Sequence, residues 1–234
     1  ERKGFTAQLE DETPGGPANT LLKAMRGASV EIGTRGSQDL GRGNRWHWEL
    51  AAYHTHLRNE ILSRDDPAAP GTSLSINADR TVHAGIEAVV GGRFALGAGG
   101  RHRVEPTLSV MLNHFRFRND ANYGNNTLPA APRQALRGEV LYRHVSGYYV
   151  GPTFDVVSSR YADFSNTYKV DAYAIWGLRT GWSGKTWDIF AEARNLSNKR
   201  YVASFAVKDV AAANAAILTP GEPRSFFVGA RLMF

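Results

Sequence analysis

Two stretches of this chain carry side chains suited to gripping a charged molecule. In or beside 119–132 stand Arg116, Arg118, Asn122, Tyr123 and Asn125, and within 159–169 stand Arg160, Tyr161 and Tyr168. Arginine pairs bidentately with carboxylates, and tyrosine offers flat contact area with a hydroxyl at its tip. Together they suit an anionic, partly aromatic chelate. Both stretches read as loops, where function concentrates. Arg116, Arg118, Asn122, Tyr123, Arg160, Tyr161 and Tyr168 are therefore the candidate ligand-binding residues, the alternative being a plain solvated loop surface.

Other chemistries are poorly supplied. His54 and His56 sit two apart, with His83 and His114 near the ends of other segments, but i, i+2 spacing on a strand only permits shared ligation. There is no cysteine and there are three methionines, so a soft-metal site lacks donors. No metal or cofactor is expected. Gly36, Gly41, Gly43, Gly97, Gly99 and Gly100 are not followed by a strand-to-helix context and read as turns rather than phosphate loops. No catalytic triad or partnered carboxylate pair is evident, so an enzyme is not expected. The net charge is +6, yet the basic residues are scattered among acids without a nucleic-acid signature. Nucleic acid is not an expected partner; an anionic ligand or lipopolysaccharide phosphates would use the same charge.

The elements that must position these residues have a period of two. Trp46, Trp48, Leu50 and Ala52 alternate with His47, Glu49, Ala51 and Tyr53; Ala84, Ile86 and Ala88 alternate with Gly85 and Glu87; Phe226, Val228, Ala230 and Leu232 alternate with Gly229 and Arg231. Nine segments show this habit, starting near residues 28, 46, 82, 104, 136, 148, 172, 187 and 226. Charges fall on one face, including Glu31, Arg35, Glu49, Glu87, Arg137, Glu139, Arg143, Asp155, Arg179, Glu192 and Arg194. The other face mixes small residues with Trp46, Trp48, Tyr148, Trp182 and Trp187 near strand ends. A soluble sandwich would fill its apolar face with large branched residues. An apolar face with aromatic ends instead suits lipid, with the charged face toward a wet lumen. The inward charges are expected to pair across strands rather than to bind ligand.

The connections support the same reading. Those at 63–81, 119–135, 159–169 and 196–223 are long, those at 97–102, 146–147 and 183–185 short, and 37–45 moderate. Long loops at one end and short turns at the other mark an outer-membrane barrel. Residues 1–25 fall on the long-loop side, giving nine strands with ends on opposite faces. Bacterial single-chain barrels have even strand counts, so the chain is expected to be part of a larger barrel. Glu1, Arg2 and Lys3 open a polar stretch without an apolar secretory region, as expected of a mature or truncated chain.

With the strands placed, particular residues resemble a family. The run from Phe190 to Tyr201 (FAEARNLSNKRY), followed by a long loop and a strand ending in Phe234, resembles the C-terminal signature of TonB-dependent outer-membrane receptors. Val30–Gly36 (VEIGTRG), Asn59-Glu60-Ile61 after a strand bearing Tyr53, and Gly85-Ile86-Glu87 recur in that order in the family. The resemblance implies an all-β, antiparallel transmembrane β-barrel of the 22-stranded type with a plug. Residues 1–234 would then be its last nine strands, with the plug domain and earlier strands absent. It implies energised nutrient uptake, usually of a ferric siderophore, powered by the TonB complex through the plug. It also implies a Gram-negative outer membrane rich in lipopolysaccharide, a periplasmic C-terminus, and Phe234 as the signal read by the barrel-assembly machinery. The alternatives are a passive porin or adhesin-type barrel and, further off, a soluble β-sandwich binding module.

Overall fold

The computed structural model describes residues 22–66, 68–69, 72–97, 99–212 and 214–233. Phe234 lies outside them, as do residues 1–21.

Nine strands form one antiparallel sheet: β1 (Arg26–Gly41), β2 (Asn44–Asp65), β3 (Ser73–Leu96), β4 (His102–Phe117), β5 (Gln134–His144), β6 (Tyr148–Val157), β9 (Tyr173–Ser183), β10 (Trp187–Arg194) and β13 (Ser225–Leu232). Each pairs with its chain neighbour among the nine, leaving β1 and β13 at the two edges. The register preserves the alternation. Ile86 stands opposite Ala52 and Leu112, and next to it Glu87 stands opposite Ala51 and Met111. Through the middle of each strand, apolar residues share one face and charges the other.

The apolar face is uncovered. Val30 and Ile32 are each 76% exposed, Phe226 70% and Val228 81%. A sandwich would need a second sheet on that face, and among the described residues none covers it. Trp46, Trp48, Tyr148, Trp182 and Trp187 all stand at the end of the sheet bearing the short turns. The rings of Trp46 and Trp48 lie 4.7 Å apart, Tyr148 is in register with Trp182, and the Trp182 indole donates to the Ser146 carbonyl at 2.7 Å. From Trp48 to Arg58 is ten residues of β2, about 33 Å of strand at ~3.3 Å per residue. Tilted by ~40°, that length spans about 25 Å, the height of the apolar band of a membrane barrel.

Two expected connections are shorter than the sequence suggests. The 63–81 segment is mostly strand, since β2 runs to Asp65 and β3 begins at Ser73. The pattern breaks at Asn59, whose φ of 52° is left-handed, a conformation Asn tolerates better than most residues. Beyond that kink Glu60 reaches the charged face, where its carboxylate accepts from the Thr81 hydroxyl and lies 3.0 Å from His83 Nε2. The 37–45 connection contracts to Arg42-Gly43, both at positive φ (53° and 76°), the geometry that suits tight hairpins.

Two long connections contain structure of their own. β7 (Arg160–Tyr161) pairs with β8 (Lys169–Val170), and β11 (Val202–Phe205) with β12 (Leu218–Pro220). The buried apolar clusters lie at this end. Phe117, Leu128, Phe164 and Ala78 form one; Ala162, Val170, Ala211 and Ile217 form the other. The hydrophobic core therefore sits in the loops, above a sheet whose apolar face is bare.

Candidate functional site

The loops 118–133, 158–172 and 195–224 are knitted into a cap. At its centre is Asp163, fully buried. Its carboxylate accepts from the backbone N–H groups of Thr167 (3.0 Å), Tyr168 (3.2 Å) and Ala211 (3.2 Å) and from the Thr167 hydroxyl. A buried carboxylate requires such partners, and these come from two different loops. Asn166 closes the third side: it accepts from the Thr127 N–H and donates to the Thr127 carbonyl, both at 2.8 Å. The rings of Phe117, Tyr123 and Phe164 pack at centroid distances of 4.9, 5.2 and 5.6 Å. Asn195, also buried, donates to the carbonyls of Lys199 and Glu222 and accepts from the Lys199 N–H, clamping both ends of the last loop. That is what the Asn of the Phe190–Tyr201 run does here.

The seven candidate residues do not converge on one spot. The Tyr123 hydroxyl donates to Asp209 at 2.6 Å, and Arg64 also pairs with Asp209. Arg160 donates to the carbonyls of Val202 (2.9 Å) and Ala203 (3.4 Å), its guanidinium 5.2 Å from the Phe205 ring centroid. Tyr168 packs on the second apolar cluster. These three brace the cap. Tyr161 is partly exposed with Lys169 Nζ 5.6 Å from its ring, and Asn122 is exposed. Arg116 and Arg118 belong to β4 and the turn after it, on the apolar face of the sheet; Arg118 Nη1 lies 3.4 Å from His56 Nδ1. Side-chain type alone does not distinguish a tyrosine that braces a loop from one that meets a ligand. Asp commonly caps turns through its side chain, but the sequence holds nothing that singles out Asp163 among the loop acids.

Burial pushes the Tyr123 hydroxyl above its ordinary pKa of about 10, with Asp120 adding to the rise and Arg64 opposing it. The neutral, donating form is the one the fold favours. Its contribution is therefore complete below pH ~10 and is lost as pH rises through the raised value. Tyr123→Phe keeps the ring and removes the bond. It is expected to loosen the loop at Asp209 by about 1 kcal/mol, read as faster amide exchange across 206–212. It should also abolish the alkaline loss of protection there.

Below the cap, the charged face holds an open trough of about 630 Å³ lined in part by Arg137, Glu139, Asp155, Arg179, Glu192 and Arg194. Charges pair across the strands: Arg137 with Asp155 at 3.0 Å, Arg179 with Glu139 at 3.3 Å, and Arg143 with Glu105 at 2.6 Å. Arg194 bridges Glu192 at 2.7 Å and Glu222 at 3.8 Å, tying the wall to the last loop. On β1–β3 the pattern changes, for among the described residues Glu31, Arg35, Glu49 and Glu87 form no ion pair. Nor do three or more His, Asp or Glu side chains converge anywhere in the described residues to hold a metal.

Residues 3–196 match the family described as TonB dependent receptor-like, β-barrel. Among solved structures, the ferric yersiniabactin uptake receptor FyuA of Yersinia pestis is 20% identical, with a TM-score of 0.70 over 93% of this chain and 32% of its own. The ferric-catecholate import receptor Fiu of E. coli K12 is 21% identical, with a TM-score of 0.64 over 94% and 29%. The copper transporter OprC is 16% identical, with a TM-score of 0.65 over 94% and 33%. Likeness at this level speaks for the fold and leaves cargo open. The chain spans about a third of the length of the solved structures it matches.

Proposed function

The chain belongs to the TonB-dependent receptor-like β-barrel family, and from that premise we propose that it forms part of the wall of an outer-membrane active transporter importing a ferric siderophore. The observation that carries this is the division of one sheet into a bare apolar face and a charged face, closed at one end by braced loops. An iron chelate is favoured over copper by the side chains at hand, which include no cysteine and only three methionines. Within the cap, the exposed Asn122 and the partly exposed Tyr161 are proposed to meet the chelate, while Tyr123, Arg160 and Tyr168 hold the surface in place.

The edge strands β1 and β13 are proposed to pair with further strands that close the barrel, because unpaired edges recruit partners. A plug enclosed by that wall would face Glu31, Arg35, Glu49 and Glu87, and would connect the receptor to the TonB complex. The short turns and the C-terminus would lie in the periplasm and the cap outside, with assembly guided by the terminal aromatic residue. Uptake of radio-iron-labelled chelates by cells carrying the intact receptor tests the proposal. Saturable uptake that disappears without TonB is expected. Non-saturable uptake that survives loss of TonB contradicts it and identifies a passive pore.

A further inference from the structure

On the apolar face, four adjacent strands end their outward run in the same way. Outward of Ala28 on β1 comes Arg26; outward of His56 on β2, Arg58; outward of Val82 on β3, Arg80; outward of His114 on β4, Arg116 and then Arg118. The register places these arginines against one another. Arg26 is directly opposite Arg58, and Arg58 directly opposite Arg80. The Arg118 N–H donates to the Arg80 carbonyl at 3.0 Å, which continues the row. Arg26, Arg58 and Arg80 line an open recess of about 520 Å³ with Asn59, Asn119 and a single acid, Asp79.

Like charges directly opposite on neighbouring strands are destabilising. On β5, β9 and β10, by contrast, Arg137, Arg143, Arg179 and Arg194 are each matched to an acid. Among the described residues none of Arg26, Arg58, Arg80, Arg116 or Arg118 forms an ion pair. The row thus holds cationic charge that no ion pair among the described residues neutralises, at the height where the apolar band ends opposite the tryptophan girdle. Four strands at ~4.8 Å spacing make it roughly 14 Å wide. Arginine forks match phosphate oxygens bidentately. We propose that Arg26, Arg58, Arg80 and Arg118, with Arg116 below, bind the phosphates of a membrane glycolipid headgroup carrying two of them. A phosphopeptide or nucleic acid fits less well, because the row abuts the lipid-facing surface and a lipid anchored there brings its phosphates to this depth.

The inference rests on the membrane reading above, and the experiment separates the two. The intact receptor, purified from membranes in mild detergent, is incubated with diphosphoryl lipid A, with fully dephosphorylated lipid A, or with inorganic phosphate, and retained ligand is measured by native mass spectrometry. Retention of the diphosphoryl lipid at least about tenfold above the dephosphorylated one is expected, a modest demand for several charge-assisted contacts. The R26Q/R58Q/R80Q variant should lose that preference, and R101Q, at the short-turn end, should keep it. Equal retention of the two lipids by the wild-type receptor overturns the proposal whether or not the variant folds. So does a variant that retains as much as wild type, or inorganic phosphate that displaces the lipid at equal concentration, which would identify a free-ion site. Wild-type receptor found soluble without detergent would instead overturn the membrane reading itself.

Discussion

Replacing Ile86 by Arg is expected to remove the intact receptor from the membrane, while replacing its neighbour Glu87 by Gln is expected to change little. Ile86 stands midway along the outward run of β3, between Gly92 near the girdle and Arg80 at the opposite rim, flanked by Ala52 and Leu112. An arginine at the bilayer midplane of a barrel costs about 2–4 kcal/mol, a large fraction of the stability of most proteins. Glu87 points the other way and forms no ion pair among the described residues, so its amide should stay within about 0.5 kcal/mol. Depth supplies the internal control. Ala28→Arg, one outward position below Arg26, should cost only ~0–1 kcal/mol, because charge near the interface reaches water. The order Ile86→Arg, Ala28→Arg, Glu87→Gln in urea midpoint and in recovery from the outer-membrane fraction checks the assignment. A flat response across the three would oppose it.

The second large effect lies in the cap. Asp163→Ala should release the loops 158–172 and 195–224 from each other while leaving the barrel wall folded. The substitution strands the N–H groups of Thr167, Tyr168 and Ala211, each of which donates to the buried carboxylate. An unsatisfied buried donor costs about 1–3 kcal/mol, and water admitted to the site recovers part of that. A local loss of about 3 kcal/mol or more is therefore expected. Amide exchange should accelerate more than a hundredfold over 160–172 and 206–217, with the strands unaffected; about 2.7 kcal/mol corresponds to that factor. Asp163→Asn keeps one acceptor oxygen and should fall between. If chelate uptake drops in step with loop protection, the cap contributes to binding as a preorganised surface rather than through any single contact.

The wall was legible because each strand carries two contrasting faces, as Leu50 beside Glu49 and Ile189 beside Asp188 illustrate. Period two survives any detail of register, so nine strands and the lipid-facing side could be read directly. What escaped was whatever interrupts that period. Asn59 flips the phase for the residues after it, so the outer third of the β2–β3 hairpin looked like loop. β7, β8, β11 and β12 are two to four residues long, too short to show a pattern. In the cap, residue type does not say which partner a side chain takes. Tyr123 and Arg160 have the chemistry of ligand contacts, yet they spend it on Asp209 and on the carbonyls of Val202 and Ala203. The arginine row is invisible for a further reason: Arg26, Arg58 and Arg80 are distant in sequence and meet only through strand register.

A membrane wall requires lipid against one face of the sheet and water against the other. Because this chain contains no cysteine, single cysteines can be introduced at 48–53 along β2 of the intact receptor, any cysteines elsewhere being removed. Each is spin-labelled in a bilayer, and its collisions with oxygen and with a water-soluble nickel chelate are measured. Oxygen accessibility should peak at 48, 50 and 52 and nickel accessibility at 49, 51 and 53, two curves of period two in opposite phase. Uniform access to the nickel reagent, or the same alternation with the phases exchanged, would contradict the membrane wall and the transport proposal built on it.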